Sequence, residues 1–527
     1  MKKVRESWWL WYNSTMKMTP DNSIFSPEFQ AILAPSQQVE IESLQQEAQE
    51  WKEKYHHLLE QLRLAKQQRF DRSSEANVLQ GELQFDEAER IEATEMPQEE
   101  NTVTVSYTRK KPVRRPLPEH LPRELIEHDI TAEEKLCDCG CIKQRIGEEV
   151  TEQLEYIPAQ LKVIAHVRPK YACNRCDEGV SIAALPQLFL PKSIATPSLA
   201  AHTIISKYED HLPLYRQEQM WARLGIEIPR NTVCGWIMAA AEVCMPMRDA
   251  LMQELIASNY LQADETTVQV MDEPNRKNTS TSYMWVYRNH RPDKKVILFD
   301  YQQTRQAQWP KQILRDFKGY LQTDGYKGYD WVDNHPDIIH LGCFAHARRP
   351  FAQLVRLAKT TGKSHQAVAY IQKLYLIEQI ARDNHYTNQQ RCELRLEQAK
   401  PILDELKIWL EKSMKTAASK SKLGDALTYM HQRWCELTAY LLDGVLEIDN
   451  NLVENLIRPF ALGRKNWLFS GSPRGAHASA LFYSLIATAK ANGLNPFNYL
   501  QTLFENIRSC RTAEDYIALL PYALNLK

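Results

Sequence analysis

Three acidic residues sit in settings that suit metal-assisted phosphoryl transfer. Asp264 lies in Asn259-Tyr-Leu-Gln-Ala-Asp-Glu-Thr-Thr-Val-Gln-Val270, a β-like run. Asp324 lies in Gly319-Tyr-Leu-Gln-Thr-Asp-Gly-Tyr-Lys-Gly-Tyr329, a strand pattern running into a glycine turn. Glu454 lies in Ile448-Asp-Asn-Asn-Leu-Val-Glu-Asn-Leu-Ile-Arg458, which reads as a helix start. Two strand-borne aspartates and one helix-borne glutamate supply hard oxygen donors, the kind that Mg2+ and Mn2+ prefer. Two such ions roughly 3.5–4 Å apart activate an attacking water or 3′-hydroxyl and stabilise the leaving oxygen of a phosphodiester. Taken singly, each acid reads as an ordinary surface carboxylate. Glu265 competes with Asp264, and Asp449 and Glu447 compete with Glu454. Strand alternation sends Asp264 and Glu265 to opposite faces, so only one of them is expected in a shared site.

Cations follow the glutamate. Arg458 shares its helix face four residues on, and Arg464, Lys465 and Arg474 come next, with Trp467 and Phe469 interleaved. Basic groups among aromatics suit a DNA strand passing the site, although a solvated helix end has the same composition. Cys343-Phe-Ala-His346 is half a metal motif with no evident partner pair, and a structural role near the floor of the site is expected. A second metal signal lies upstream. Cys173-Asn-Arg-Cys176 is a standard half-site for tetrahedral zinc, and Cys137-Asp-Cys-Gly-Cys141 offers the other half. Which two of Cys137, Cys139 and Cys141 bind is left open by their compact spacing. Four thiolates leave no open position, so a single Zn2+ there folds its domain and does no chemistry.

Positioning these groups takes several domains. The chain has 527 residues, 43% hydrophobic and 25% charged, with a net charge of −1, so two to four domains are expected in a multidomain α+β protein. Any DNA-binding charge must be segregated, and it is. Glu82, Asp86, Glu87, Glu89, Glu92, Glu95, Glu99 and Glu100 precede the basic run Arg109, Lys110, Lys111, Arg114 and Arg115. The 11 cysteines are partly clustered, which points to metal in a reducing compartment rather than to disulfides. No apolar run is long enough to span a bilayer, so a cytoplasmic location without membrane partners is expected. Residues 1–17 receive no role, since Met16 or Met18 is an equally good start.

Ile41, Leu44, Ala48, Trp51, Tyr55, Leu58, Leu62 and Ala65 repeat at alternating steps of three and four, a heptad seam that predicts a coiled coil and a homo-oligomer. Alternating runs at 150–156 and 162–168 predict a hairpin carrying the cysteine knuckles. Residues 213–224, a Gly225 turn and a helix from Arg230 outline a helix-turn-helix, with Arg230, Asn231 and Thr232 placed to read base edges. From residue 259 the period becomes two. Strands are expected at 259–271, 281–290, 294–301, 319–324 and 337–344, with a helix at 305–317 after the third. That order is the order of a ribonuclease H-like α/β core. Residues 346–440 carry no strand signal and read as an all-helical insertion. The resulting division is an unassigned N-terminus (1–36), coiled coil (37–75), disordered acidic and basic linker (76–122), zinc-binding domain (123–192), helix-turn-helix-like domain (193–257), first part of the core (258–345), helical insertion (346–440), and the second part of the core with C-terminal helices (441–527).

Together these residues resemble the insertion sequence 66-type transposases, the TnpC-like product. The likeness runs from about residue 40 to 520. It is carried by Phe70-Asp-Arg-Ser-Ser-Glu75, Arg114-Arg-Pro-Leu-Pro118, His166-Val-Arg-Pro-Lys-Tyr-Ala-Cys173, Lys207-Tyr-Glu-Asp-His-Leu-Pro-Leu-Tyr-Arg-Gln217, Ala263-Asp-Glu-Thr266, Thr323-Asp-Gly-Tyr326, Cys343-Phe-Ala-His-Ala-Arg-Arg349, Asp449-Asn-Asn451 and Leu462-Gly-Arg-Lys-Asn-Trp-Leu-Phe469. The resemblance implies a DDE transposase whose acidic triad is Asp264, Asp324 and Glu454. It implies binding to double-stranded DNA at terminal inverted repeats and in the target, element-encoded accessory proteins, and bacterial nucleoid association when DNA is bound. A catalytically inactive DNA-binding regulator on the same scaffold, or a plain ribonuclease H-like nuclease, would be the alternatives.

Overall fold

The computed structural model describes residues 161–172, 180–184, 186–358 and 361–524. The coiled-coil seam, the linker and all five candidate zinc ligands, Cys137, Cys139, Cys141, Cys173 and Cys176, lie outside the described residues. Two compact units are distinguished, one holding residues 161–186 and 219–228 and the other 187–218 and 229–524.

The first unit contains a short antiparallel pair, β1 (Lys170–Ala172) and β2 (Val180–Ile182). This pair brackets the Cys173–Cys176 segment, but the hairpin is shifted from the expected place. The alternating run 162–168 is coil. Val163 is 92% exposed and Val167 81%, so its apolar residues find no surface to bury against, and alternation alone does not make a strand.

In the larger unit, α1 (Pro197–Tyr208) starts at a Thr196 cap with proline in the first turn. α2 (Leu214–Arg223) begins in this unit and ends within residues 219–228 of the other, where Gly225 stands at φ +83°, and α3 (Arg230–Ile256) lies in the larger unit again. The remaining core strands are β3 (Tyr260–Gln269), β4 (Thr281–Asn289), β5 (Ile297–Gln302), β6 (Gly319–Gln322) and β7 (Ile338–Leu341), with α4 (Gln308–Ile313) between β5 and β6. They form one sheet in the order β5-β4-β3-β6-β7. β4 is antiparallel to both β3 and β5, and β6 and β7 are parallel additions beside β3. Trp285, Tyr287 and Phe299 fill the core of β4 and β5. The β3–β6 pairing ends at Gln262 and Gln322, which leaves the next residues of both strands bordering an open edge.

After β7 every described element up to Leu442 is helical. These are α5 (Phe344–Leu357), α6 (Lys363–Asp383), α7 (Asn388–Leu394), α8 (Lys400–Thr416), α9 (Lys422–Gln432) and α10 (Trp434–Thr438), with a π-helical segment at Arg395–Ala399 and a 3₁₀ turn at Ala439–Leu442. Their apolar stripes converge on one core that includes Phe351, Ile371, Leu374, Leu406, Leu427 and Met430. A buried ion network closes the excursion. Arg395 donates to Glu378 (2.7 and 2.9 Å) and to the carbonyls of Tyr440, Asp443 and Leu446. Arg391 bridges Glu378 (2.6 Å) and Glu447 (2.8 Å). This fixes the chain immediately before α11 (Asn451–Trp467), the helix that carries Glu454. α12 (Pro473–Ala491), α13 (Pro496–Asn506) and α14 (Ala513–Ala518) complete the chain, and α12 covers β5. Among the described residues no helix is long and apolar enough to cross a membrane.

Candidate active site

Asp264 lies on β3 opposite Val286, just past the point where β6 stops. Its Oδ1 accepts the Glu265 N–H at 2.8 Å. Asp324 lies two residues beyond β6, in a turn that Gly325 makes possible at φ +84°. The Asp324 Oδ1 accepts the Tyr326 N–H at 2.8 Å, and its carbonyl accepts the Tyr429 hydroxyl at 2.7 Å. Carboxylate oxygens of Asp264, Glu265 and Asp324 all lie within 4.8 Å of one another. Strand alternation therefore misjudges Glu265. Past Gln262 β4 continues to pair with β3 on one side, while on the β6 side β3 has no partner. There Arg305 Nε donates to Glu265 at 2.5 Å, while its Nη2 stands 3.7 Å from Asp324.

Glu454 occupies the first turn of α11 and is 3% exposed. It belongs to a second group with Cys343 and His346, again within 4.8 Å, and its charge acts on Asp264 while that of Asp324 acts on it. His346 Nδ1 is 3.2 Å from its Oε1, and Arg349 Nη2 is 3.5 Å from its Oε2. Neither contact has hydrogen-bond alignment, so both buried oxygens keep unfilled lone pairs. Burial pushes the Glu454 carboxyl up to about 8; the Asp449 and Asp324 charges add to this, and Arg349 and Arg458 oppose it. Burial also lifts Asp264 well above its ordinary value, with the charges of Asp324, Glu265 and Glu454 next in order. Glu265 rises to about 7 for the same leading reason, augmented by Asp324 and opposed by Arg305. Asp264 and Glu454 thus each hold a proton more firmly than a solvated carboxyl would, and the charge of Asp324 contributes to both shifts.

The competitors are engaged elsewhere. Asp449 Oδ2 accepts the Tyr375 hydroxyl at 2.8 Å, and its Oδ1 accepts the Asn451 N–H at 3.0 Å. Glu447 pairs with Arg391. Asn450, fully buried, donates to the Ala263 carbonyl at 3.0 Å and so ties the start of α11 to β3 beside Asp264. Cys343 sits at the N-cap of α5, is fully buried, and accepts the Asn450 N–H at 3.2 Å. It joins two helix starts, which is structural work.

Arg230, Asn231 and Thr232 are exposed at the start of α3, where Arg230 N–H donates to Glu218 at 3.2 Å. Lys465 and Arg474 are exposed, the latter paired with Glu242. Arg458 is half-buried beside Glu454. Arg464 differs from the sequence expectation, because its Nη1 donates to the Thr267 carbonyl and to the hydroxyls of Thr266 (3.3 Å) and Thr267 (3.1 Å). It pins α11 to β3 rather than facing a ligand. Sequence reasoning missed Arg305 and Tyr429, set Glu265 aside as the competitor of Asp264, and quoted Asn450 only inside the runs 448–458 and Asp449-Asn-Asn451 without giving it a role.

Known proteins share this chain's pattern over most of its length. Residues 192–478 match the model of the Transposase IS66 family, 134–177 the zinc-finger binding domain of transposase IS66, 484–522 the IS66 C-terminal element, and 57–126 the model described as Transposase C of IS166 homeodomain. Among relatives, uncharacterized protein y4jD of Sinorhizobium fredii (strain NBRC 101917 / NGR234) is 34% identical over 421 residues, covering 77% of this chain and 81% of that one. Uncharacterized protein y4qI of the same organism is 32% identical over 433 residues, covering 78% of each. A match of this extent, laid over a site built from the motif residues themselves, makes the chain a member of the IS66 family of transposases.

Proposed function

We propose that this transposase cuts the ends of its element and joins them to target DNA at Asp264, Asp324 and Glu454. The observation that supports this reading is the approach of Asp264 and Asp324 carboxylate oxygens to within 4.8 Å, together with charges that reach across to Glu454: Asp324 and Glu454 both raise Asp264, and Asp324 raises Glu454. The donor set suits Mg2+ or Mn2+. It is made of hard oxygens, and Glu454 keeps two buried oxygens without aligned partners. Asp264 and Asp324 would hold one ion at the open sheet edge, with Glu454 completing the pair. Bound there, the ions supply an activated nucleophile and neutralise charge on the leaving oxygen. The protein's own share is placement. Asn450 ties α11 to β3, Tyr429 and the Asp324 turn hold the second aspartate, and Arg305 counters the charge of Glu265. The sheet order, with three antiparallel strands followed by two parallel ones, supports the ribonuclease H-like reading of this core.

The same reading assigns Arg230, Asn231 and Thr232 to recognition of terminal inverted repeats and leaves Lys465, Arg458 and Arg474 for phosphate contact. It assigns a structural Zn2+ to four of Cys137, Cys139, Cys141, Cys173 and Cys176, and homo-oligomerisation to the heptad seam. The deciding experiment is a strand-transfer assay with the element's own ends and Mn2+. Wild type yields joined products, whereas Asp264→Ala and Asp324→Asn lose cleavage at least about 10³-fold and keep DNA binding. Equal cleavage by either variant rejects the assignment. A wild type that binds the ends yet never cuts them favours the inactive regulator.

A further inference from the structure

Past the active-site helix the chain changes character. No acidic residue occurs between Glu454 and Glu505, while Arg458, Arg464, Lys465, Arg474 and Lys490 fall in that interval. Within it lies the most constrained backbone of the region. α11 ends at Trp467, and Leu468 adopts φ +67° and ψ −48°. The Phe469 N–H donates to the Trp467 carbonyl at 2.8 Å. This is a γ-turn of the uncommon positive-φ kind, strained for any residue with a branched side chain.

The strain is imposed from both sides. Trp467 packs over Gly463, where any Cβ would meet its ring at 2.4 Å, and beneath Lys207, whose Nζ is 4.2 Å from the ring centre. On the other side Ser470 is zipped to the end of β3. Its N–H donates to the Gln269 carbonyl at 2.9 Å, and its carbonyl accepts the Met271 N–H at 2.9 Å. With both ends anchored, the two residues between them must bulge. Leu468 is 66% exposed and Phe469 43%, next to exposed Lys465. Strained turns persist where their surroundings over-determine them, and they concentrate at sites of function.

We propose that Leu468 and Phe469 form an apolar wedge that enters the base stack of duplex DNA on one side of the strand being cut. The position of the wedge relative to the cut rests on the proposed active site. A helical rise of about 1.5 Å per residue puts Leu468 about 20 Å from Glu454. A strand rise of about 3.3 Å per residue gives a similar distance from Asp264 to the end of β3. At about 3.4 Å per base pair, that is roughly six pairs from the scissile phosphate. Apolar side chains flanked by cations are the means by which proteins unstack and kink a duplex. A second copy of this chain could cover the same two residues, but exposed Lys465, one helical turn before Leu468 in a run of sequence without acids, complements a polyanion rather than another apolar face.

The test uses the full-length protein and a duplex carrying the element's terminal repeat, with 2-aminopurine substituted at successive positions. Divalent cation is left out so that nothing is cut. Bound wild type should brighten the probe several-fold at a step roughly six pairs from the cut and leave distant positions dark. Leu468→Gly combined with Phe469→Ala removes the wedge while suiting the γ-turn backbone, so its melting temperature should hold or rise and the brightening should vanish. Failure of every position to brighten, or brightening by the double variant equal to wild type, overturns the wedge. A change in sedimenting mass of the variant, with fluorescence unaltered, overturns it in favour of contact between copies. Should Asp264→Ala still cut DNA while the brightening persists, the active-site reading fails and the wedge stands.

Discussion

Replacing Glu454 by glutamine should flatten the pH dependence of stability in the metal-free protein. Burial is the main force that pushes the Glu454 carboxyl from 4.5 to about 8. In the unfolded chain the group loses its proton near pH 4.5; in the folded chain it keeps it to about pH 8. Between those values unfolding releases a proton, so stability present below pH 4.5 drains away as pH rises, by about 1.4 kcal/mol per pH unit. Glu454 is 3% exposed, so solvent screening removes little of this. Over the whole window the contribution is on the order of 4–5 kcal/mol. Glu265, raised to about 7, acts with the same sign over a narrower range. Cation binding runs the other way, because only ionised carboxylates bind metal, so Mn2+ should stabilise more as pH rises. Thermal melts from pH 5 to 8.5, with and without Mn2+, read both slopes. Without metal, wild type should lose roughly 2 °C per pH unit more than Glu454→Gln, and the Mn2+ increment should grow with pH in wild type and be smaller at every pH in the variant. Parallel curves for the two proteins would refute a buried, proton-holding Glu454.

Three further outcomes follow from particular contacts. Gly325→Ala should cost about 1–2 kcal/mol and lower cleavage by displacing Asp324. Its backbone is at φ +84°, and an added Cβ would stand 2.7 Å from the Tyr429 hydroxyl; unchanged cleavage would show that the turn tolerates the shift. Glu378→Ala strands the fully buried Arg395 and should cost about 3–5 kcal/mol, measured by urea unfolding, whereas a loss below 1 kcal/mol would mean the network relaxes. Lys465→Ala should weaken DNA binding and reduce the salt slope by about 0.9, while Arg464→Ala should mainly lower the melting temperature, since that side chain is bound to β3. Identical salt slopes for wild type and Lys465→Ala would remove Lys465 from the interface.

What the sequence made legible was whatever depends on local period. β3, β4 and β6 announce themselves through their period of two, and the stretch from residue 346 to 440 through the loss of it. The three acids could be chosen from their settings, Asp264 within a strand, Asp324 just past one and Glu454 in the first turn of a helix. Rules of local geometry also produced the errors. Alternation sent Glu265 away from Asp264, yet carboxylate oxygens of both lie within 4.8 Å of each other and of Asp324, where β6 no longer pairs with β3. Arg464 read as a phosphate ligand because its neighbours are basic and aromatic; its commitment to Thr266 and Thr267 depends on a strand almost two hundred residues upstream. Such long-range partners leave no periodic trace.

The helical insertion is the element whose role was least visible, and the contacts around Asp324 argue that it is part of the site. Tyr429, on α9, donates to the Asp324 carbonyl, and Arg433 donates to the Gly325 carbonyl at 3.2 Å while pairing with Asp330. The turn bearing the second aspartate is therefore gripped from outside the sheet. At the far end of the insertion, Arg391 and Arg395 fasten residues 440–447, the approach to Glu454. An excursion serving only as a spacer would need neither grip, since loop closure depends weakly on length. One helical body thus sets the position of two of the three acids, and Asn450 closes the arrangement by binding the β3 backbone beside the third. A deletion of the insertion with a short linker should then leave a sheet that folds but carboxylates that no longer share proton affinity.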